Sequence, residues 1–255
     1  MGHLNSYVIL ALVLLVYQVC WFAAALIKKR NDVADVAWGL GFVVLAWISF
    51  FLGEGNMRGL IVNVLVTIWG LRLSFHIHTR NRGKEEDFRY AQWRREWKNF
   101  YLRSFLQVFL LQGFFLFVIA WPVMWVNSAD ASLWRWWDVA GVILWSIGFL
   151  FESIGDHQLT RFKKDSANKG NIITTGLWRY TRHPNYFGEA VQWWGIFLMA
   201  LSVGGWVTVV SPLLITYLLR YVSGVPMLER KYAGRPEFEE YKRKTSAFFP
   251  LPVKK

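Results

Sequence analysis

Of the 255 residues, 55% are hydrophobic and 18% aromatic, with 16 Trp, which is more apolar material than a water-soluble domain of this length hides. One cysteine, Cys20, excludes a disulfide framework or a cysteine-built zinc cluster, and the five His show no HxxxH or HExxH spacing, so no metal is expected. The formal charge of +12 gathers in clusters between apolar runs, which argues for membrane loops and against a nucleic-acid face.

In chain order, apolar runs predict spans over about 4–27, 33–52, 59–79, 104–126, 134–156, 187–203 and 205–225. The first is too long for a leader's apolar core, lacks a preceding basic stretch and is followed by Lys28, Lys29 and Arg30, so it is read as a retained helix. Of the 29 Lys and Arg residues, 25 fall at 28–30, 80–103, 161–182 and from 230 onward. Seven spans put all four clusters on one side, so the amino terminus is expected outside and the tail in the cytoplasm of a cell-membrane protein. The expected fold is all-α: a seven-transmembrane helix bundle forming a single multi-pass domain over 1–255. Val203-Gly204-Gly205 leaves room only for a tight hairpin between the last two spans.

Ionisable residues inside spans are costly and mark functional candidates. Asp32 and Asp35 open the second span. Arg72, His76 and Arg80 stack at i, i+4 and i+8 in the third, Glu152 and Asp156 repeat that spacing in the fifth, and Arg220 lies late in the seventh. Arg72 and Arg220 can instead neutralise acids across the bundle, with no chemistry. The set concentrates in the cytoplasmic half, as expected of a cavity where a soluble ligand meets a lipid-dissolved one.

The densest signal is the run from Gly176 to Glu189, GLWRYTRHPNYFGE. Arg179 and Arg182 can grip phosphate, Tyr180 or Tyr186 can stack on a base or nicotinamide ring, and Pro184 can start a helix whose amino end favours an anion. Glu189 and Gln192 follow one turn inside. A basic anchor for anionic lipid would need only the cations.

This run, with Leu228-Glu229-Arg230-Lys231-Tyr232, Phe238-Glu239-Glu240-Tyr241 and Phe248-Phe249-Pro250, resembles the carboxy-terminal part of the steroid 5-alpha-reductase family, including its bacterial branch of unknown function, and the RHxNY motif of sterol C14 reductases. The likeness covers about 140–252, and Asn81-Arg82-Gly83 adds to it. It implies seven helices, NADPH held by cytoplasmic loops, and hydride delivery to a carbon-carbon double bond conjugated to a carbonyl in a lipophilic substrate. By the same resemblance Asn185, Tyr186 and Glu189 line the nicotinamide end. Lys163, Arg179, Arg182, Tyr232 and Tyr241 are candidates for phosphates and adenosine, and Arg72, Asn81, Arg82 and His183 complete the cofactor set. Asp35, Tyr186 and Glu189 are the catalytic candidates: Asp35 as proton donor, Tyr186 as its alternative, and Glu189 orienting the carboxamide. Steroid reductases carry a glutamate near the position of Asp35 and a tyrosine in the third span that is missing here.

Two other functions compete. Isoprenylcysteine carboxyl methyltransferases share an Arg-His-Pro-x-Tyr segment and use S-adenosylmethionine, and a lipid-binding scaffold would need no cofactor. Asn185 before Tyr186, the Gly188-Glu189 pair and the NRG tripeptide favour the reductase.

Overall fold

The computed structural model describes residues 2–130 and 133–254, which form helices and no strand. In order they are α1 (Gly2–Lys28), α2 (Val33–Leu52), α3 (Met57–Asn81) and α4 (Phe88–Glu96). Next comes a continuous run of α5 (Phe100–Arg103), a π-type stretch at Ser104–Leu110 and α6 (Leu111–Ile119), followed by α7 (Trp121–Ser128). Then follow α8 (Trp136–Lys164), α9 (Pro184–Leu201), α10 (Val210–Tyr217) running into a π-type turn at Leu218–Val222, α11 (Val225–Glu229) and α12 (Pro236–Lys244).

Six segments of the described chain are long and apolar enough to cross a membrane: Asn5–Lys28, Val33–Leu52, Met57–Asn81, Phe100–Ile119, Trp136–Lys164 and Trp206–Tyr232. The segment expected to be the remaining span is α9, 18 residues long, whose amino half is diluted by Asn185, Glu189 and Gln192. The fourth expected span is interrupted near Ala120, because Pro122 in the first turn of α7 has no N–H for a continuing helix. The fifth runs two turns past its expected end at 156, to Lys164. His157, Gln158, Arg161 and Lys163 hide that extension from hydropathy while remaining good helix residues.

The chain divides into two compact units, one of Met1–Trp134 with Val203–Thr208 and one of Arg135–Ser202 with Val209–Lys255. In the first, α2 packs on α1, α3, α6 and α7. Its approach to α3 brings backbones together: a methyl on Gly39 would lie 2.5 Å from the Gly70 carbonyl oxygen. Polar side chains stitch the helices where lipid offers no partners. Tyr17 donates to the Ala37 carbonyl (2.7 Å), Ser74 to Val36 (2.8 Å) and Gln112 to Ala34 (2.8 Å). Asn127 donates to Ser49 Oγ (2.7 Å) and Asn63 Oδ1 (3.1 Å).

The second unit is organised by the pairing of α8 with α9. Gly141, Gly148 and Gly155, seven apart on α8, meet Gly195, Gly188 and Pro184 on α9. A methyl on Gly148 would lie 2.6 Å from the Gly188 carbonyl oxygen, and one on Gly141 2.6 Å from that of Gly195. Only glycine lets the two backbones touch in this way. α10 returns along α9, as the short 203–205 linker requires.

Candidate functional site

In the second unit the site grows from the start of α9. Pro184 occupies the first turn, its fixed φ suited to helix entry, and the chain ahead of it is sewn to the tail. Thr181 bridges Ser246, the Arg182 amide donates to the Ser246 carbonyl (2.9 Å), Thr181 Oγ1 to that of Phe248 (2.8 Å), and the Leu251 amide to that of Tyr180 (3.0 Å). Tyr241 on α12 donates its hydroxyl to the Trp178 carbonyl, and the Trp178 indole donates to Gly155 on α8 (3.1 Å). Burial pushes the Tyr241 hydroxyl above its ordinary value, which keeps it a donor.

Arg182 is buried and committed. Its Nε donates to Glu229 Oε1 (2.8 Å) and Nη2 to Oε2 (3.3 Å), while Nη1 reaches the carbonyls of Lys242 (3.2 Å) and Thr245 (2.5 Å). The paired guanidinium and carboxylate thus pin α11, α12 and the tail to the head of α9. Glu229, the centre of this pin, lies within a motif that the sequence displays, but its 47-residue separation from Arg182 gives no local sign of the pairing.

His183, 5% exposed, places Nε2 3.1 Å from Glu229 Oε1. Burial lowers its pKa below the ordinary value, Glu229 opposing and Arg182 and Arg220 reinforcing the shift, so the neutral ring is favoured. A carboxylate only accepts, so Nε2 carries the proton and Nδ1 is an acceptor. That acceptor meets no partner among the described residues. Asn185 gives its amide N–H to Asp156 Oδ1 (3.1 Å) and Gln192 gives its own to Glu152 Oε2 (2.5 Å). The carbonyl oxygens Asn185 Oδ1 and Gln192 Oε1 are therefore left buried and uncommitted. Asn185, Glu189 and Gln192 share one stripe of α9, Glu189 is buried, and Tyr186 stacks on His183 with centroids 5.5 Å apart.

The expected phosphate candidates fall in different settings. Arg179 is exposed and lines a cleft of about 530 Å³ with Thr174, Thr175, Lys244 and Tyr241. Lys163 is exposed on the overhanging end of α8, and Tyr232 packs on Phe238 (5.6 Å).

The first unit holds the other candidates. Asp35 accepts from Arg89 (2.7 Å) and from the Tyr90 hydroxyl (2.7 Å). Burial, reinforced by Asp35, holds the Tyr90 hydroxyl well above its ordinary pKa, so it stays a donor. Asp32, 2% exposed, accepts two bonds from Arg30 (2.7 and 2.6 Å) and one from Asn81 (3.4 Å). Glu86 holds Arg94 (2.9 Å). These pairs fasten α4 and its preceding loop to the start of α2, and Asn81 ties the end of α3 to the same place. Arg82 is exposed beside this cluster, while Arg72 is half-buried within α3. Arg89 and Tyr90 went unremarked in the sequence because they read as ordinary members of a basic loop. No group of His, Cys, Asp and Glu able to hold a metal ion occurs among the described residues.

Comparison with known proteins places these features. The model of a family described as "Protein of unknown function (DUF1295)" matches residues 21–245. An uncharacterized protein of Schizosaccharomyces pombe is 25% identical over 96% of this chain and 80% of its own length. A 3-oxo-5-alpha-steroid 4-dehydrogenase 1 of Bos taurus is 38% identical over 27% of this chain and 26% of its own. The steroid 5-alpha-reductase DET2 of Arabidopsis thaliana is 32% identical over 33% of each chain. The likeness to these two named enzymes thus spans a third or less of their length. No solved structure matches the chain. The chain belongs to the DUF1295 family, and part of it is similar to steroid 5-alpha-reductases.

Proposed function

We propose that this protein is a membrane reductase that uses NADPH to reduce a conjugated carbon-carbon double bond in a lipophilic enone. The activities named for its partial relatives suggest the reaction class. The observation in this chain that carries the reading is the set of buried acceptors at the head of α9: His183 Nδ1, Asn185 Oδ1 and Gln192 Oε1. Three uncommitted acceptors suit a donor-bearing head such as the nicotinamide carboxamide and would repel a phosphate. The cofactor's diphosphate and adenosine are therefore assigned to the exposed cations Arg179 and Lys163, while Arg182 serves as a positioning residue. The α9 segment is read as a seventh span. The four basic clusters then lie in the cytoplasm and the amino terminus lies outside.

Bound NADPH would supply the hydride, and the chain must orient the acceptor and neutralise the charge that develops on its carbonyl oxygen. Glu189 and Asn185 fix the carboxamide, and Tyr186, held against His183, is the donor aimed at the oxyanion. Proton delivery is assigned to Tyr186, because both carboxylate oxygens of Asp35 already accept, one from Arg89 and one from the Tyr90 hydroxyl. The test is calorimetric titration of the purified protein with NADPH, NADH and S-adenosylmethionine. NADPH should bind, and Asn185→Ala should weaken it about 10-fold while the protein still melts cooperatively, at a temperature lowered only by the lost bond to Asp156. Binding of S-adenosylmethionine alone would establish a methyltransferase instead.

A further inference from the structure

Gln18 lies inside the span Asn5–Lys28, about 15 Å along the helix from its basic end, and is 2% exposed. Among the described residues neither its Nε2 nor its Oε1 meets a hydrogen-bond partner. Its packing is close on one side. A methyl on Gly113 of α6 would lie 2.9 Å from Gln18 Cγ and 3.2 Å from Nε2, so the glycine makes the room that the amide occupies.

The neighbouring polar side chains do not share this condition. Tyr17 on the same helix uses its hydroxyl on the Ala37 carbonyl, and Gln112, next to Gly113, uses its amide on that of Ala34. In hydrocarbon a stranded amide is expensive, because neither lipid nor apolar side chains replace the lost water. Leu would fill the same volume at no such cost.

We infer that Gln18 is a ligand-binding residue of the first unit, presenting its amide N–H to the carbonyl oxygen of a neutral lipophilic ketone. A neutral amide suits that partner: it discriminates a ketone from a hydrocarbon of the same shape without demanding a counter-charge. The choice of a ketone rests on the reductase reading, while the need for a partner rests on the geometry of Gln18 alone. Gln18 thereby acts in specificity and takes no part in hydride or proton transfer.

The experiment measures binding of progesterone, a steroid enone, and of its parent hydrocarbon pregnane to detergent-solubilised protein, with NADPH titrated on the same preparations. Gln18→Leu should bind progesterone at least 10-fold more weakly, bind pregnane unchanged, and melt about 2 °C higher without ligand. Gly113→Ala, which crowds the amide without removing it, should weaken progesterone binding in the same direction. Equal progesterone affinity in the wild type and Gln18→Leu overturns the assignment, as does a wild type that fails to prefer progesterone over pregnane. NADPH binding reports separately: if it persists while ketone preference is absent, only the role of Gln18 falls. If no nucleotide binds, the reductase reading falls, and a Gln18-dependent ketone preference would still stand.

Discussion

Replacing Glu229 by Gln tests whether Arg182 is a structural pin or a free phosphate grip. The substitution keeps the shape of the side chain but removes the charge that faces a guanidinium only 7% exposed. Breaking one partner of a buried pair costs about 3–5 kcal/mol, chiefly because the remaining charge is stranded. The Gln oxygen can still accept one bond, and Arg182 keeps the carbonyls of Lys242 and Thr245, so the lower end, about 3 kcal/mol, is expected. For a chain of this size that corresponds to a fall of roughly 6–12 °C in melting temperature, read by a thiol-independent fluorescence melt in detergent. The double variant Arg182→Met/Glu229→Leu, which removes both charges, should recover part of the loss, since a buried pair exchanged for apolar side chains is often near neutral. A melting temperature within 1 °C of wild type for Glu229→Gln would refute the pin and return Arg182 to the pool of phosphate ligands.

Gly188→Ala places a methyl against the backbone of Glu152 and should cost about 3 kcal/mol, because neither helix can yield locally; an unchanged chemical-denaturation midpoint would contradict the backbone contact. His183 should make stability depend on pH. Burial holds its pKa below the ordinary 6.5, so the unfolded chain binds a proton that the folded chain refuses. Stability is then full above pH 6.5 and declines as the pH falls beneath it, and His183→Gln should flatten that slope in melts between pH 5 and about 8. Asp35→Asn removes the charge between Arg89 and Tyr90 and should cost about 2 kcal/mol while leaving NADPH affinity intact. Full stability with lost turnover would restore Asp35 as the acid.

The helical, membrane-spanning character was legible because long apolar runs need no tertiary information, and Pro184 announced the start of α9 by its chemistry alone. Hydropathy failed where helix and membrane part company. The end of α8 is polar yet helical, and Pro122 divides a run that stays apolar throughout. The candidate site was legible as a list of residue types but not as a division of labour. Arg179 and Arg182 look alike three residues apart, yet one is exposed and the other is enclosed by carbonyls from 60 and 63 residues downstream. Such long-range closure leaves no periodic trace. The same holds for Asp35, whose partners Arg89 and Tyr90 come from a loop that read as solvated charge.

The stitching of residues 180–182 to the tail also sets an order of events during synthesis. Thr181 and Arg182 emerge from the ribosome 60 to 67 residues ahead of Lys242, Thr245 and Phe248, a lag of about 3–13 s at ordinary elongation rates. In that interval a guanidinium destined for burial waits without Glu229 and without the carbonyls that later enclose it. The head of α9 is therefore completed only when the tail arrives, and a nascent chain stalled before residue 242 would carry His183, Asn185 and Gln192 without the clasp that holds the start of α9.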